Sequence, residues 1–196
     1  AKIIKIKKDL EEAYKYFQLA IQYEPKNSFA YASVGEIFRE RNIDDRAIFF
    51  FQKAIELDPK NYFVYFVLGK IFFKKADVGE NDIICFKYFQ EALERNPKDM
   101  DAHFYLGEFY RLGSRNIKQD GEKAINHFLK IQPHDPRRAV AFRNIGLIHL
   151  MGLGGISKND YSAFAFFQQA CSLDDKDPIT HTYLGHLYRV GAKGVE

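Results

Sequence analysis

YASVGEIF at residues 31–38 and AIFFFQKAIELDP at residues 47–59 form the stretch of sequence that decides the fold. The first segment carries an apolar residue followed by glycine, and the second carries the spacing AxxxFxxA. Both patterns recur at steps of 34 to 39 residues. The apolar–glycine pairs are Val34-Gly35, Leu68-Gly69, Leu106-Gly107, Ile145-Gly146 and Leu184-Gly185. The phenylalanines are Phe17, Phe51, Phe89, Phe128 and Phe167. Such repetition predicts an array of units, each of which contacts only its neighbours.

The spacing within a unit predicts a pair of helices. The small residue that opens AxxxFxxA always lies 22 residues before the next glycine, whereas the distance from a glycine to the next such residue varies from 12 to 17. Ala47, Phe51 and Ala54 stand at i, i+4 and i+7, which is one face of a helix. In four units a proline follows and ends that helix. We call the two helices of a unit the glycine helix and the phenylalanine helix, and we expect insertions in the loop between them.

Polar residues ahead of these helices are predicted N-caps, because asparagine and aspartate accept hydrogen bonds from the free N–H groups of a first turn. Those ahead of the glycine helices are Asn27, Asn61, Asp99 and Asp177. Those ahead of the phenylalanine helices are Asn42, Asn81, Asp120 and Asn159. A glycine inside a helix costs about 1 kcal/mol relative to alanine. The repeated glycines therefore predict a close approach of the partner helix backbone.

The order aromatic, Leu-Gly, aromatic, Ala, Phe, Ala and Pro at fixed offsets resembles the tetratricopeptide repeat. The later units are longer and resemble the related Sel-like repeats, whose glycine-rich turn is similar to GLGGI at residues 152–156 and GAKGV at 191–195. The resemblance covers nearly the whole chain. It implies an all-α, right-handed superhelical solenoid of about five antiparallel helix pairs.

The resemblance makes residues 1–196 a single repeat array. Its units are a partial repeat at 1–27, repeats at 28–61, 62–99, 100–138 and 139–177, and a partial repeat at 178–196. Residues 1–8 are expected to be the end of a first glycine helix, and the partial repeats indicate a fragment of a longer protein. Because terminal helices without partners expose apolar faces, we expect self-association through the ends.

In the tetratricopeptide family the glycine helices line the concave face, which implies a groove formed by their side chains. Aromatic residues at its centre are flanked by basic groups, a surface that suits a peptide or helix with apolar anchors and some acidic residues. Arg111 and Arg143 are candidates for binding a carboxylate. The predicted partner-binding residues are Phe63, Phe66, Lys70, Phe73, Phe104, Tyr105, Glu108, Arg111, Arg143, Asn144 and Leu147. The alternative, that several of these aromatics only pack between successive glycine helices, stays open.

Composition argues against several classes of protein. The net charge is +3, but residues 1–8 alone carry four lysines and no acid, so the repeats have no basic stripe for nucleic acid. No apolar run approaches the roughly 20 residues of a membrane span. Cys85 and Cys171 lie at inequivalent positions and predict free thiols in a reducing compartment, hence a cytoplasmic location. A secreted protein without disulfides would have the same pattern.

No set of residues predicts catalysis, a metal site or a cofactor. His103, His149 and His181 occupy places that hold aromatic residues in other units, and we interpret them as structural. No His, Cys and carboxylate group shows metal-ligand spacing. The glycine-rich segment at residues 152–155 lacks the preceding strand and the Lys-Ser/Thr ending of a phosphate-binding loop, so it is interpreted as a turn. The chain is therefore not expected to be an enzyme.

The sequence predicts a non-catalytic protein–protein interaction scaffold that binds a peptide or helical segment of a partner in its concave groove. The alternative is a structural or oligomerisation segment of a larger assembly or regulator, with no ligand in the groove. A third hypothesis is a secreted bacterial Sel-like protein that acts at the cell wall, which the missing cysteine pairs weaken. Repeat surfaces vary freely on one scaffold, so the partner is not identified.

Overall fold

Helices account for all the regular secondary structure in the described part of the chain. The structure is a computed structural model that describes the backbone of residues 2–74 and 80–191, and the side chains of residues 9–74 and 81–191. Within these ranges it contains ten α-helices and no strand. The helices are α1 (Lys2–Tyr23), α2 (Ser28–Glu40), α3 (Asp44–Leu57), α4 (Tyr62–Lys74), α5 (Glu80–Arg95), α6 (Met100–Leu112), α7 (Gly121–Leu129), α8 (Arg138–Met151), α9 (Asp160–Leu173) and α10 (Pro178–Arg189). The predicted all-α class is confirmed.

The helices pack in chain order. The glycine helices α2, α4, α6 and α8 each pack most extensively against the phenylalanine helix that follows them, and each pair then contacts the next pair. The glycine helices α6 and α8 also touch each other directly. Contacts between neighbours only are the property that defines a solenoid, and they produce an extended surface in place of a single enclosed core.

A phenylalanine ring fills the space beside each glycine of the four complete pairs. Phe51, Phe89, Phe128 and Phe167 are fully buried. A Cβ atom built on Gly107 would lie 2.7 Å from the ring of Phe128, and the other three pairs give 2.7–2.8 Å. The prediction that the partner backbone approaches each glycine was therefore wrong in its detail. The partner's phenylalanine side chain is the group that excludes a Cβ.

We expect Gly107→Ala to destabilise the chain and Gly185→Ala to stabilise it. The added methyl group at position 107 collides with the Phe128 ring, and overpacking typically costs about 1–3 kcal/mol. At position 185 no atom of the described residues outside the backbone of α10 lies within 4 Å of the added Cβ, so the gain in helix propensity, up to about 1 kcal/mol, is realised. Urea denaturation of the two variants measures both effects. Equal shifts of the same sign would contradict the packing described here.

The predicted N-caps are confirmed at most positions. Asn27, Asp99, Asp120, Asn159 and Asp177 each accept backbone N–H hydrogen bonds at the start of their helices.

Two predicted caps are placed differently. Asn42 adopts a left-handed conformation with φ 57° and closes the end of α2, so Ile43 is the residue at the start of α3 and makes no side-chain cap. Helix α5 begins at Glu80, so Asn81 lies inside its first turn. Asparagine tolerates the left-handed region better than most residues do, which is why the sequence pattern did not separate the two roles at position 42.

The amino-terminal helix differs from the expectation. Residues 1–8 were predicted to end a separate glycine helix, but α1 runs without a break from Lys2 to Tyr23. This stretch contains no glycine, proline or asparagine that could end a helix between residues 2 and 23. The helix that carries Phe17 is therefore longer than its counterparts in the other units.

The glycine-rich loop at residues 152–156 is a turn that packs on the preceding unit. Gly152, Gly154 and Gly155 have positive φ angles. The backbone N–H of Gly121 at the start of α7 donates to the carbonyl of Gly154 at 2.9 Å, and a Cβ on Gly154 would lie 2.2 Å from that nitrogen. The loop therefore links α8 to the earlier pair α6–α7. Of the second predicted turn, residues 192–195 lie outside the described residues.

Candidate partner-binding groove

Helix α4 supplies the most exposed of the predicted groove residues. Phe63 is 47% exposed and Phe73 is 42% exposed. Lys70 lies between them in sequence and is exposed, with its Nζ atom 5.5 Å from the centre of the Phe66 ring. Phe66 itself is buried. Three of the four predicted residues on this helix therefore remain accessible, while Phe66 packs inside the array.

Tyr105 and Phe104 on α6 are half-buried and take part in packing. The Tyr105 ring stacks on Phe89 at 4.8 Å and also contacts Phe66 and Phe73. Burial raises the pKa of the Tyr105 hydroxyl. The Phe104 ring lies edge-on to Phe128 at 6.0 Å. The alternative interpretation, aromatic packing between successive glycine helices, therefore describes Tyr105, whereas Phe104 packs against the phenylalanine helix of its own pair.

The charged and polar residues farther along the groove already have partners within the chain. Arg111 pairs with Glu108 at 2.8 Å, and the side-chain amide of Asn144 donates to the same carboxylate. Asn144 and Leu147 are buried. Arg111 is thus not free to receive a ligand carboxylate without giving up Glu108.

Arg143 pairs with Asp177, the N-cap of α10, at 2.8 Å. Burial alone would raise the pKa of Asp177, but the hydrogen bonds from Thr180 and Arg143 outweigh it and lower the pKa to about 2. This ion pair connects α8 to α10 and has a structural explanation. Arg143 was a predicted ligand-binding residue, and the structure gives it a partner from the next unit.

Sequence reasoning missed exposed apolar residues at two repeated offsets from the glycines. Six residues before the glycine stand Phe29 and Ile179, at the place of Phe63, and both are exposed. Five residues after the glycine stand Leu112, Met151 and Val190, which are 62%, 53% and 51% exposed at the ends of three successive glycine helices. The signal that could have found them is the offset itself, although Asp101 and Val140 at the first offset are half-buried.

A separate cleft of about 950 Å³ lies outside the predicted groove. Its lining comes from α5, α6, the segment before α7, the start of α7 and the glycine-rich loop at residues 152–155, and includes Phe86, Tyr110 and Lys118. The cleft lies beside α7, a phenylalanine helix of only 9 residues; α3 and α9 have 14 residues each and α5 has 16. The length of α7 could not be read from the AxxxFxxA spacing.

The described residues offer no group of three or more His, Cys, Asp or Glu side chains that could hold a metal ion. Cys85 is buried and Cys171 half-buried, and neither forms a disulfide. Burial raises the pKa of the Cys85 thiol to about 11, which makes it a poor nucleophile. Of the helices that the structure describes, none has the length and apolar character needed to cross a membrane.

Similar folds occur among solved structures. The TPR protein YrrB, whose structure is described as having an unusual peptide-binding site, aligns with a TM-score of 0.68 and 21% identity over 92% of this chain and 86% of YrrB. A Sel1 repeat protein from Oxalobacter formigenes aligns with a TM-score of 0.65 and 19% identity over 94% of this chain and 75% of its own. MamA aligns with a TM-score of 0.65 and 22% identity over 88% and 86%. At these identities the likeness establishes the fold alone.

Comparison of the sequence with protein families identifies the type of each repeat. No curated protein matches the sequence. Tetratricopeptide repeat models match residues 1–27, 30–61 and 88–125. The Sel1 repeat model matches residues 65–97 and 139–175. The predicted mixture of the two repeat types is confirmed, and the chain belongs to the tetratricopeptide repeat family, with Sel1-type repeats among its units.

Proposed function

We propose that the chain is a non-catalytic scaffold that binds a peptide or helical segment of a partner protein along its glycine helices. The observation that carries this proposal is the exposed surface of α4, where Phe63 and Phe73 flank Lys70. Isolated exposed aromatics are ordinary, but two exposed rings on one helix supply apolar anchors for a partner, and the lysine between them supplies a charged contact that sets specificity. The tetratricopeptide and Sel1 families consist mainly of interaction scaffolds, and a relative of the same fold, YrrB, has a peptide-binding site.

The chemistry of α4 defines the partner segment. Neither Lys70 nor Lys74 forms an ion pair with a described acidic residue. The ammonium group of Lys74 donates to the side-chain oxygen of Asn42 at 3.3 Å. An apolar side chain of the partner would cover Phe63 or Phe73, and an acidic side chain would meet Lys70 or Lys74. Leu112 and Met151 extend the apolar surface toward α8. We therefore propose a segment with apolar anchors and acidic residues.

We expect the double variant Phe63→Ala with Lys70→Glu to reduce capture of the native partner at least tenfold, since loss of a central anchor and reversal of a contacting charge each weaken binding. Neither residue packs in the core, so the fold stays intact. The measurement is affinity capture on the immobilised chain, followed by titration of the captured partner's binding segment. The control Phe49→Ala with Lys60→Glu removes one exposed aromatic and one lysine outside the groove. Equal capture by both variants would overturn the groove proposal.

A second candidate function, assembly through the ends of the array, is favoured by one observation. In the four complete pairs a phenylalanine ring lies against the glycine, but no side chain of the described residues lies within 4 Å of a Cβ built on Gly185 of α10. His181 and Tyr188 on the same helix are exposed. Helix α1 of a second copy carries the complementary AxxxFxxA pattern around Phe17. If assembly is the function, sedimentation will show oligomers that persist in the Phe63/Lys70 variant and disappear in Gly185→Leu.

The location that we propose is the cytoplasm. Two cysteines that form no disulfide suit a reducing compartment. Labelling of Cys171 in intact cells with a membrane-impermeant maleimide tests this proposal, and labelling before lysis would contradict it.

A further inference from the structure

Each complete helix pair contains a group of three ring side chains at fixed offsets. One ring lies four residues before the glycine, one lies three residues after it, and the third lies one residue before the buried phenylalanine. The groups are Tyr31, Phe38 and Phe50; Tyr65, Phe72 and Tyr88; His103, Tyr110 and His127; and Phe142, His149 and Phe166. Only the third pair has histidine at two of the three places. The other units show that aromatic rings at the same places fold equally well.

The two histidines form a direct hydrogen bond between α6 and α7. The Nδ1 atoms of His103 and His127 are 2.9 Å apart, and the Nε2 atom of His103 lies 3.1 Å from the carbonyl oxygen of Pro97. A carbonyl only accepts, so Nε2 of neutral His103 carries the proton and its Nδ1 is the acceptor. Nδ1 of His127 is then the donor. The bond therefore requires both rings to be neutral, or a charge on His127 alone.

The surroundings disfavour either charge. A proton on Nδ1 of His103 would set two N–H groups against each other across 2.9 Å. A proton on Nε2 of His127 would place a charge on a half-buried ring near Lys123, whose ammonium group already lies 5.2 Å from the Tyr110 ring that stacks on His127. Burial, then His103 and Lys123, lower the pKa of His127 to about 4.

The remaining charged neighbours act on His103. Burial has the largest effect and lowers the pKa of His103, and the positive charge of Lys130 lowers it further. The hydrogen bond to Pro97 and the negative charge of Asp99 raise the pKa, but the net shift is downward. The unfolded chain would bind protons on both rings near pH 6.5, where the folded pair does not. Stability from this pair is thus complete above about pH 6.5 and is lost as the pH falls toward 4.

We propose that the His103–His127 hydrogen bond makes the α6–α7 pair an acid-sensitive joint, which opens before the other helix pairs when the pH falls. Helix α7 has only 9 residues, so this pair has less packing to oppose opening than the pairs built on α3, α5 or α9. Because α6 and α8 contact each other, opening would also displace the middle of the array. The proposal does not depend on whether the groove binds a peptide.

The test is amide hydrogen exchange, expressed as protection factors at pH 7.5 and pH 5.0 so that the intrinsic effect of pH is removed. We expect protection over residues 100–129 to fall at least about tenfold more than protection over residues 28–57, since one unit of pKa difference corresponds to a tenfold change in an equilibrium. The variant His103→Tyr with His127→Phe, which copies Tyr31 and Phe50, should lose this difference. A variant that keeps the same difference would overturn the proposal.

A second readout covers the case in which the variant does not fold. The ring resonances of His103 and His127 in the unsubstituted chain can be followed by NMR from pH 8 to pH 4. The proposal requires both rings to stay neutral below pH 6 and the fold of α6–α7 to change when they titrate. Titration of both rings at or above pH 6.5 without change in the neighbouring amides would overturn it.

Discussion

Replacing Phe128 with alanine is expected to lower the free energy of unfolding by about 3–5 kcal/mol. The ring is fully buried, lies against the backbone of Gly107 and touches Phe104. Its removal leaves a cavity between two helices that cannot close, because a glycine on the facing helix offers no side chain to fill the space. Urea denaturation with a shared m-value measures the loss.

Phe49→Ala is the matched control for Phe128→Ala. Phe49 lies on another phenylalanine helix but is 54% exposed, so its removal should change the free energy of unfolding by less than about 1 kcal/mol. A Phe128 variant that unfolds at the same urea concentration as the parent would show that the AxxxFxxA register has been assigned to the wrong helix face.

Asp177→Ala should have the second largest effect, a loss of about 3 kcal/mol in the docking of α10. The substitution removes the N-cap of that helix, which contributes about 0.5–2 kcal/mol. It also leaves the largely buried guanidinium group of Arg143 without its partner, which is costly when a pair is shielded from water. Because the main contacts of α10 among the described residues are with the α8–α9 pair, the loss appears as detachment of residues 178–189, measured by hydrogen exchange.

Asp99→Ala provides the comparison for Asp177→Ala. Asp99 caps α6 from the same place in its unit. Since it has no ion-pair partner among the described residues, Asp99→Ala removes the capping contribution alone. The pKa of Asp177 is lowered to about 2, so its contribution persists above pH 4 and is lost only as the pH falls toward 2. Equal effects of the two substitutions would show that the Arg143 ion pair adds nothing.

The helix pairs and their buried spine could be predicted because the same residues recur at every unit. Phe51 and Phe89 have one chemical role, and a single spacing identifies both. The continuous α1 and the role of Asn42 could not be predicted in this way, because each occurs once and departs from the repeated pattern. The reason for the glycines was also missed, since spacing reveals a tight contact without revealing which atoms make it.

The candidate groove was harder to predict than the fold. Phe63 and Phe66 lie on the same helix, yet one is exposed and the other is buried by rings from the next unit. Arg143 looked available for a ligand because its partner, Asp177, lies 34 residues away in sequence. Exposure and pairing at a groove depend on which side chain the following unit presents, and a single sequence does not show that contact.

Tryptophan fluorescence offers the most direct measurement of whether α4 binds the partner. The chain contains no tryptophan, so Phe63→Trp places the only such fluorophore in the groove, and Phe49→Trp places one on α3 as the control. When the acidic, apolar segment of the captured partner is titrated in, the emission of Phe63→Trp should shift to the blue and saturate, while that of Phe49→Trp stays constant. A saturable shift of Phe49→Trp with no change in Phe63→Trp would contradict a groove on the glycine helices.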